Sequence, residues 1–127
     1  RYREDEQLVD RPVHIFHGAL DDFNSVEPCE RYVERLKATG TDVELTVYPD
    51  AHHVFDWEGF AQAYSAPDNQ STRHCRILES PFGVLVNQDT GQPFSYDDAC
   101  VVTGTTAAYN APASAAVIEA IKELLEV

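Results

Sequence analysis

At 127 residues, with 43% hydrophobic and 10% aromatic residues, the chain is long enough for one domain. A core of that size buries about two-thirds of the unfolded surface. The formal net charge of −13 argues against a nucleic-acid or anionic-membrane partner, since both select basic surfaces. No apolar run approaches the ~20 residues of a membrane span. The acidity reads as a solubility device, with a salt-adapted source as the alternative. No signal peptide is recognisable, and Arg1 in place of Met predicts processing, excision or an upstream part.

Residues 1–11 are mostly charged and read as a connector. Pro12 to Phe16 is a short apolar, β-branched run of the kind buried on both faces of a parallel sheet. Asn24 or Ser25 is expected to cap a helix carrying Pro28 in its first turn. Val26, Cys29, Tyr32, Val33 and Leu36 share one face of that helix, and Gly40 ends it. Asp42 to Tyr48 alternates, with Val43, Leu45 and Val47 on one side, as an edge strand does. Strand, helix and strand in this order form a βαβ unit with parallel strands.

Beyond His53 the pattern weakens. Trp57 to Tyr64 reads as a short helix and Ser65 to Thr72 as a loop. Phe82 to Val86 and Gln92 to Phe94 read as a hairpin. Asn110 is placed to cap a final helix, with Pro112 in its first turn. Its apolar stripe is Ala113, Ala116, Val117, Ala120, Ile121 and Leu124. Two strands and two main helices make an incomplete doubly wound sheet with an open edge. The missing strands are expected from the rest of the polypeptide, another chain or a second copy.

Of three cysteines, Cys29 falls inside the helix on its apolar face, which suits a buried free thiol and makes it a poor nucleophile. Cys75 and Cys100 lie in a loop-rich stretch with little core, where a cross-link helps most. A Cys75–Cys100 disulfide is therefore expected, and with it a periplasmic or secreted location. Without it the expected location is cytoplasmic. Asn69-Gln70-Ser71 matches the short and common glycosylation acceptor pattern.

In open α/β sheets, reacting groups sit at the carboxyl ends of strands. Asp21 follows the first strand and His53 the second. Parallel neighbours lie ~4.8 Å apart, so short loops can bring a carboxylate to an imidazole. That pair makes two-thirds of a nucleophile–His–acid triad. Asp22 competes with Asp21, and His52 with His53. Asp21 could instead be a turn residue, and His53 a solvent-facing loop residue. His14 and His17 read as structural, and His74 has no evident partner. Asp50, His52 and His53 could suggest a metal site, but adjacent positions rarely converge on one ion. No Gly-x-Ser-x-Gly or Gly-x-Cys-x-Gly elbow occurs, and Ser95, Thr105 and Ser114 lack its setting.

The stretch from Arg11 to Asp56, with Gly18-x-x-Asp21-Asp22 and Tyr48-Pro49-x-Ala51-x-His53-x-Phe55, resembles the C-terminal half of the dienelactone hydrolase family. Residues 104–125, with Tyr109-Asn110 before the last helix, resemble its closing segment. The resemblance implies the C-terminal portion of an α/β-hydrolase fold. Residues 12–56 would be the βαβ unit, 57–103 a cysteine-containing insertion and 104–127 the closing helix. It also implies cleavage of esters or lactones by a Cys or Ser nucleophile, His53 and Asp21, without cofactor. Asp21 would orient the imidazole, and His53 would act as general base and then general acid. The nucleophile would lie outside this chain. A different expectation is a non-catalytic, hydrolase-derived module that binds a partner through its open strand edge.

Overall fold

The computed structural model describes residues 11–126. The expected connector therefore lies almost wholly outside the described residues. Strand β1 (Val13–Gly18), helix α1 (Glu27–Ala38) and strand β2 (Val43–Tyr48) form the βαβ unit. The strands pair in parallel, from Val13 opposite Val43 to Gly18 opposite Tyr48. Strand alternation divides the unit into layers. Val13, Ile15, Val43 and Leu45 pack with Val33, Leu36 and Tyr32 of α1. From the opposite face, Phe16 and Tyr48 pack against Ala51, Phe55 and the residues Ala113 and Val117 of α2 (Ala111–Leu125). The result is a helix–sheet–helix stack two strands wide.

The start of α1 differs from the expectation. Val26 occupies the cap position and makes no side-chain cap bond. The Asn24 N–H is instead spent on Asp21 Oδ1. Glu27 anchors the first turn: backbone hydrogen bonding, then the Ser25 side chain, hold its carboxyl below the usual range. At the other end Gly40 adopts φ 84°, as expected of a helix stop. Asn110 caps α2 as anticipated, accepting from the Ala113 N–H at 3.0 Å. It also donates to the Asp50 carbonyl at 2.9 Å, which ties the helix to the loop after β2.

The apolar stripe of α2 is only partly covered. Ala113 and Val117 are buried, but Ala116, Ile121 and Leu124 are exposed. The reason is width. A 15-residue helix is about 22 Å long, while two strands give a platform of only ~10 Å. Among the described residues, β1 pairs with β2 alone, and its other edge is open.

The stretch expected to be irregular is more ordered. Residues 65–72 are not a loop: Tyr64–Ser71 is strand β3, antiparallel to β6 (Val102–Ala107). The register shifts between Ala66 and Gln70, and Pro67 lies in that irregularity, where no ladder N–H is required. The expected helix near Trp57 contracts to one 3₁₀ turn, Glu58–Phe60. The expected hairpin is re-paired. Leu85–Asn87 (β5) pairs with Ile77–Glu79 (β4), and the 92–94 limb adds only the bridge between Val86 and Pro93. Cys75 and Cys100 form the expected disulfide, across a sequence separation of 25. Cys29 is free and half-buried.

Candidate active site

The two strand-end loops meet closely. Gly18 closes β1 directly beneath the loop after β2, where a Cβ would lie 2.3 Å from the Ala51 carbonyl oxygen. Only glycine allows that approach. The Ala19 N–H donates to the Tyr48 carbonyl and the Leu20 N–H to the Ala51 carbonyl, both at 2.9 Å. The Asp21 turn and the His53 loop are thereby fixed as one assembly.

Across it, His53 Nδ1 stands 2.9 Å from Asp21 Oδ2. An ionised carboxylate only accepts, so Nδ1 carries a proton, and in the neutral imidazole Nε2 is then the nitrogen with the lone pair. The carboxylate is the more enclosed partner, with a side chain 9% exposed against 34% for the imidazole. Its other oxygen, Oδ1, accepts from the Phe23 N–H at 2.9 Å and the Asn24 N–H at 2.7 Å. The two readings of Asp21, turn residue and histidine partner, therefore coexist on separate oxygens. The Phe23 ring covers the imidazole, with centroids 4.9 Å apart.

The rivals take other roles. Asp22 Oδ1 accepts from the Thr106 N–H at 2.7 Å and so faces β6. His52 Nδ1 is buried without a hydrogen-bond partner among the described residues. His17 Nδ1 contacts its neighbour's carbonyl, Gly18 O, at 2.8 Å, and His14 pairs with Glu44 across the strands at 3.7 Å. Cys29 lines a cleft shared with Asp21, but burial raises its thiol pKa, and the charges of Asp21 and Glu30 add to the effect. A thiol so disfavoured as thiolate is a poor nucleophile.

His53 opens onto a cleft of about 370 Å³, walled by Phe16, Phe55, Val117 and Ile121. Apolar walls around a few polar groups are usual for small-molecule sites. The backbone beside the imidazole is unusual. Val54 has φ 61°, a left-handed conformation that costs a β-branched residue about 1–2 kcal/mol. Glycine at this position relieves that strain but returns about 0.5–1 kcal/mol through chain entropy. Val54→Gly is therefore expected to leave the urea midpoint unchanged or raise stability by up to about 1.5 kcal/mol.

Comparison with known protein families identifies the family of the chain. The profile of the dienelactone hydrolase family matches residues 2–78, which include both strand-end loops and α1. The chain belongs to the dienelactone hydrolase family. The α/β architecture of the βαβ unit and α2 is what that family implies. Among curated proteins, the chain is 39% identical over 56 residues to the non-reducing polyketide synthase adrD of Penicillium rubens, covering 43% of this chain. It is 44% identical over 45 residues to the non-reducing polyketide synthase ausA of Penicillium brasilianum, covering 35% of this chain. The ausA synthase of Emericella nidulans is 36% identical over 47 residues, 37% of this chain. In each case the match spans 2% of the relative's length. No solved structure matches.

Residues beyond the His53 loop contribute contacts to the site that sequence reasoning missed. Arg73 Nη1 donates to the Asp22 carbonyl and, at 2.9 Å, to the Gly104 carbonyl. Ser71 Oγ donates to the Phe23 carbonyl at 2.8 Å. The Ala108 N–H donates to the His53 carbonyl at 3.1 Å. Nothing local marks Arg73 or Ser71, because each bonds a residue about fifty positions away.

Proposed function

We propose that this chain supplies the base and its orienting acid to a carboxylic ester or lactone hydrolase of dienelactone hydrolase type. The nucleophile comes from polypeptide outside the chain. The observation that carries this reading is the 2.9 Å contact between His53 Nδ1 and Asp21 Oδ2, which turns Nε2 to the opposite side of the ring. In the proposed reaction, a Ser or Cys nucleophile attacks the ester carbonyl while His53 Nε2 takes its proton. That proton passes to the leaving alkoxide as the acyl–enzyme forms. Water then attacks the acyl carbonyl, giving its proton to His53, which passes it to the departing nucleophile as the carboxylic acid is released. Asp21 holds the imidazole in the required tautomer and stabilises the imidazolium between steps. No cofactor enters these steps.

The open edge of β1 and the exposed Ile121 and Leu124 support docking of further polypeptide here. The Cys75–Cys100 disulfide supports an oxidising, periplasmic or secreted location. The likeness to polyketide synthases supports adding polyketide-derived esters and lactones to the substrates assayed. The same open edge favours a second reading, a hydrolase-derived module that binds a partner without turnover.

The test is hydrolysis of a short-chain p-nitrophenyl ester by this chain alone and by the longer protein with its nucleophile-bearing part. Turnover is expected only in the longer protein. Turnover by the isolated chain would overturn the placement of the nucleophile. Stable partner binding by an inactive longer protein would favour the second reading.

A further inference from the structure

Two successive peptide groups lie behind Asp21. The first joins Asp22 to Phe23: its N–H donates to Asp21 Oδ1, and its carbonyl accepts from Arg73. The second joins Phe23 to Asn24: its N–H donates to the same Oδ1, and its carbonyl accepts from Ser71 Oγ. A peptide group is planar, so fixing its carbonyl end fixes where its N–H points. A cationic donor at the carbonyl also polarises the group and strengthens its N–H as a donor. Arg73 is anchored in turn, because the same Nη1 bonds Gly104 O in β6 at 2.9 Å. Ser71 is only 2% exposed, so its hydroxyl is committed to this contact.

We propose that Arg73 and Ser71 are positioning residues: through these two peptide groups they orient the Asp21 carboxylate, and through it the His53 imidazole. The β3–β6 sheet is thus a brace for the acid. The inference rests on the catalytic reading of the Asp21–His53 pair and adds residues that touch neither substrate nor imidazole.

The test uses the longer protein carrying its nucleophile, with p-nitrophenyl ester kinetics, circular dichroism and the downfield proton resonance of His53 Nδ1–H. Arg73→Ala is expected to lower kcat about ten-fold or more, since small misplacement of a base is costly, with KM changed by less than about two-fold. Arg73→Lys, which keeps one cationic donor, recovers part of the loss. Ser71→Ala lowers kcat in the same way, and both alanine variants weaken or broaden the Nδ1–H resonance. A folded Arg73→Ala protein with wild-type kcat and an unchanged resonance would overturn the proposal. If Arg73→Ala does not fold, Ser71→Ala decides, and wild-type behaviour there is equally fatal. His53→Ala separates the two levels. If it leaves activity intact, the catalytic reading fails, while the Nδ1–H resonance still judges the positioning.

Discussion

Replacing His53 with alanine is expected to lower ester hydrolysis by about 10⁴-fold or more in protein that carries its nucleophile, because the proposed base is removed. Asp21→Asn is expected to cost about 10⁴-fold with little change in KM. The second effect follows from the two oxygens of Asp21. Oδ1 faces two N–H donors, from Phe23 and Asn24, so the amide nitrogen of asparagine is excluded from that side. The nitrogen must then face His53, where it donates to Nδ1 in place of accepting from it. The imidazole is driven to the tautomer with its proton on Nε2, and the base is lost although the shape is kept. Steady-state kinetics with a folding check by circular dichroism decides the matter. Asp21→Asn retaining more than about a tenth of wild-type kcat would sink the orienting role.

The disulfide carries the second large effect. Cys75 lies two residues beyond Arg73, and Cys100 lies two before β6. The link therefore closes the mouth of the β3–β6 sheet around the β4–β5 hairpin. A closed loop of 25 residues lowers the entropy of the unfolded chain by an amount worth about 3.5 kcal/mol. The local core is thin: Ala66 is the one buried apolar residue of β3 to β6 among the described residues. Cys75→Ala with Cys100→Ala is expected to lower stability by about 2–4 kcal/mol, read as a fall in the urea midpoint. Oxidised and reduced wild-type protein with the same midpoint would show that the disulfide contributes nothing to this stability.

Legibility tracked the range of the interactions. β1, α1, β2 and the cap of α2 could be read because each is set by neighbours within a turn or a strand. The apolar residues 13, 15, 33, 36, 43 and 45 recur at periods that one local geometry satisfies. β3 could not be read. Its sequence, Tyr-Ser-Ala-Pro-Asp-Asn-Gln-Ser, is polar, mostly exposed and interrupted by Pro67, and it is a strand because β6 lies beside it. The α2 stripe was legible as a pattern but not as burial, since covering it requires strands that β1 and β2 do not provide.

Sequence alone determined the βαβ unit, the capped final helix, the dienelactone hydrolase resemblance and the placing of Asp21 and His53 at adjacent strand ends. Those follow from local periodicity and from the rule that parallel strands end on the same side. Only the tertiary structure showed that the Asp21 carboxylate meets His53 while Asp22 turns to β6, and only it revealed Arg73 and Ser71 behind the acid. Neighbouring residues of one type differ in which way their side chains leave the backbone, and that direction is set by bonds reaching across the fold.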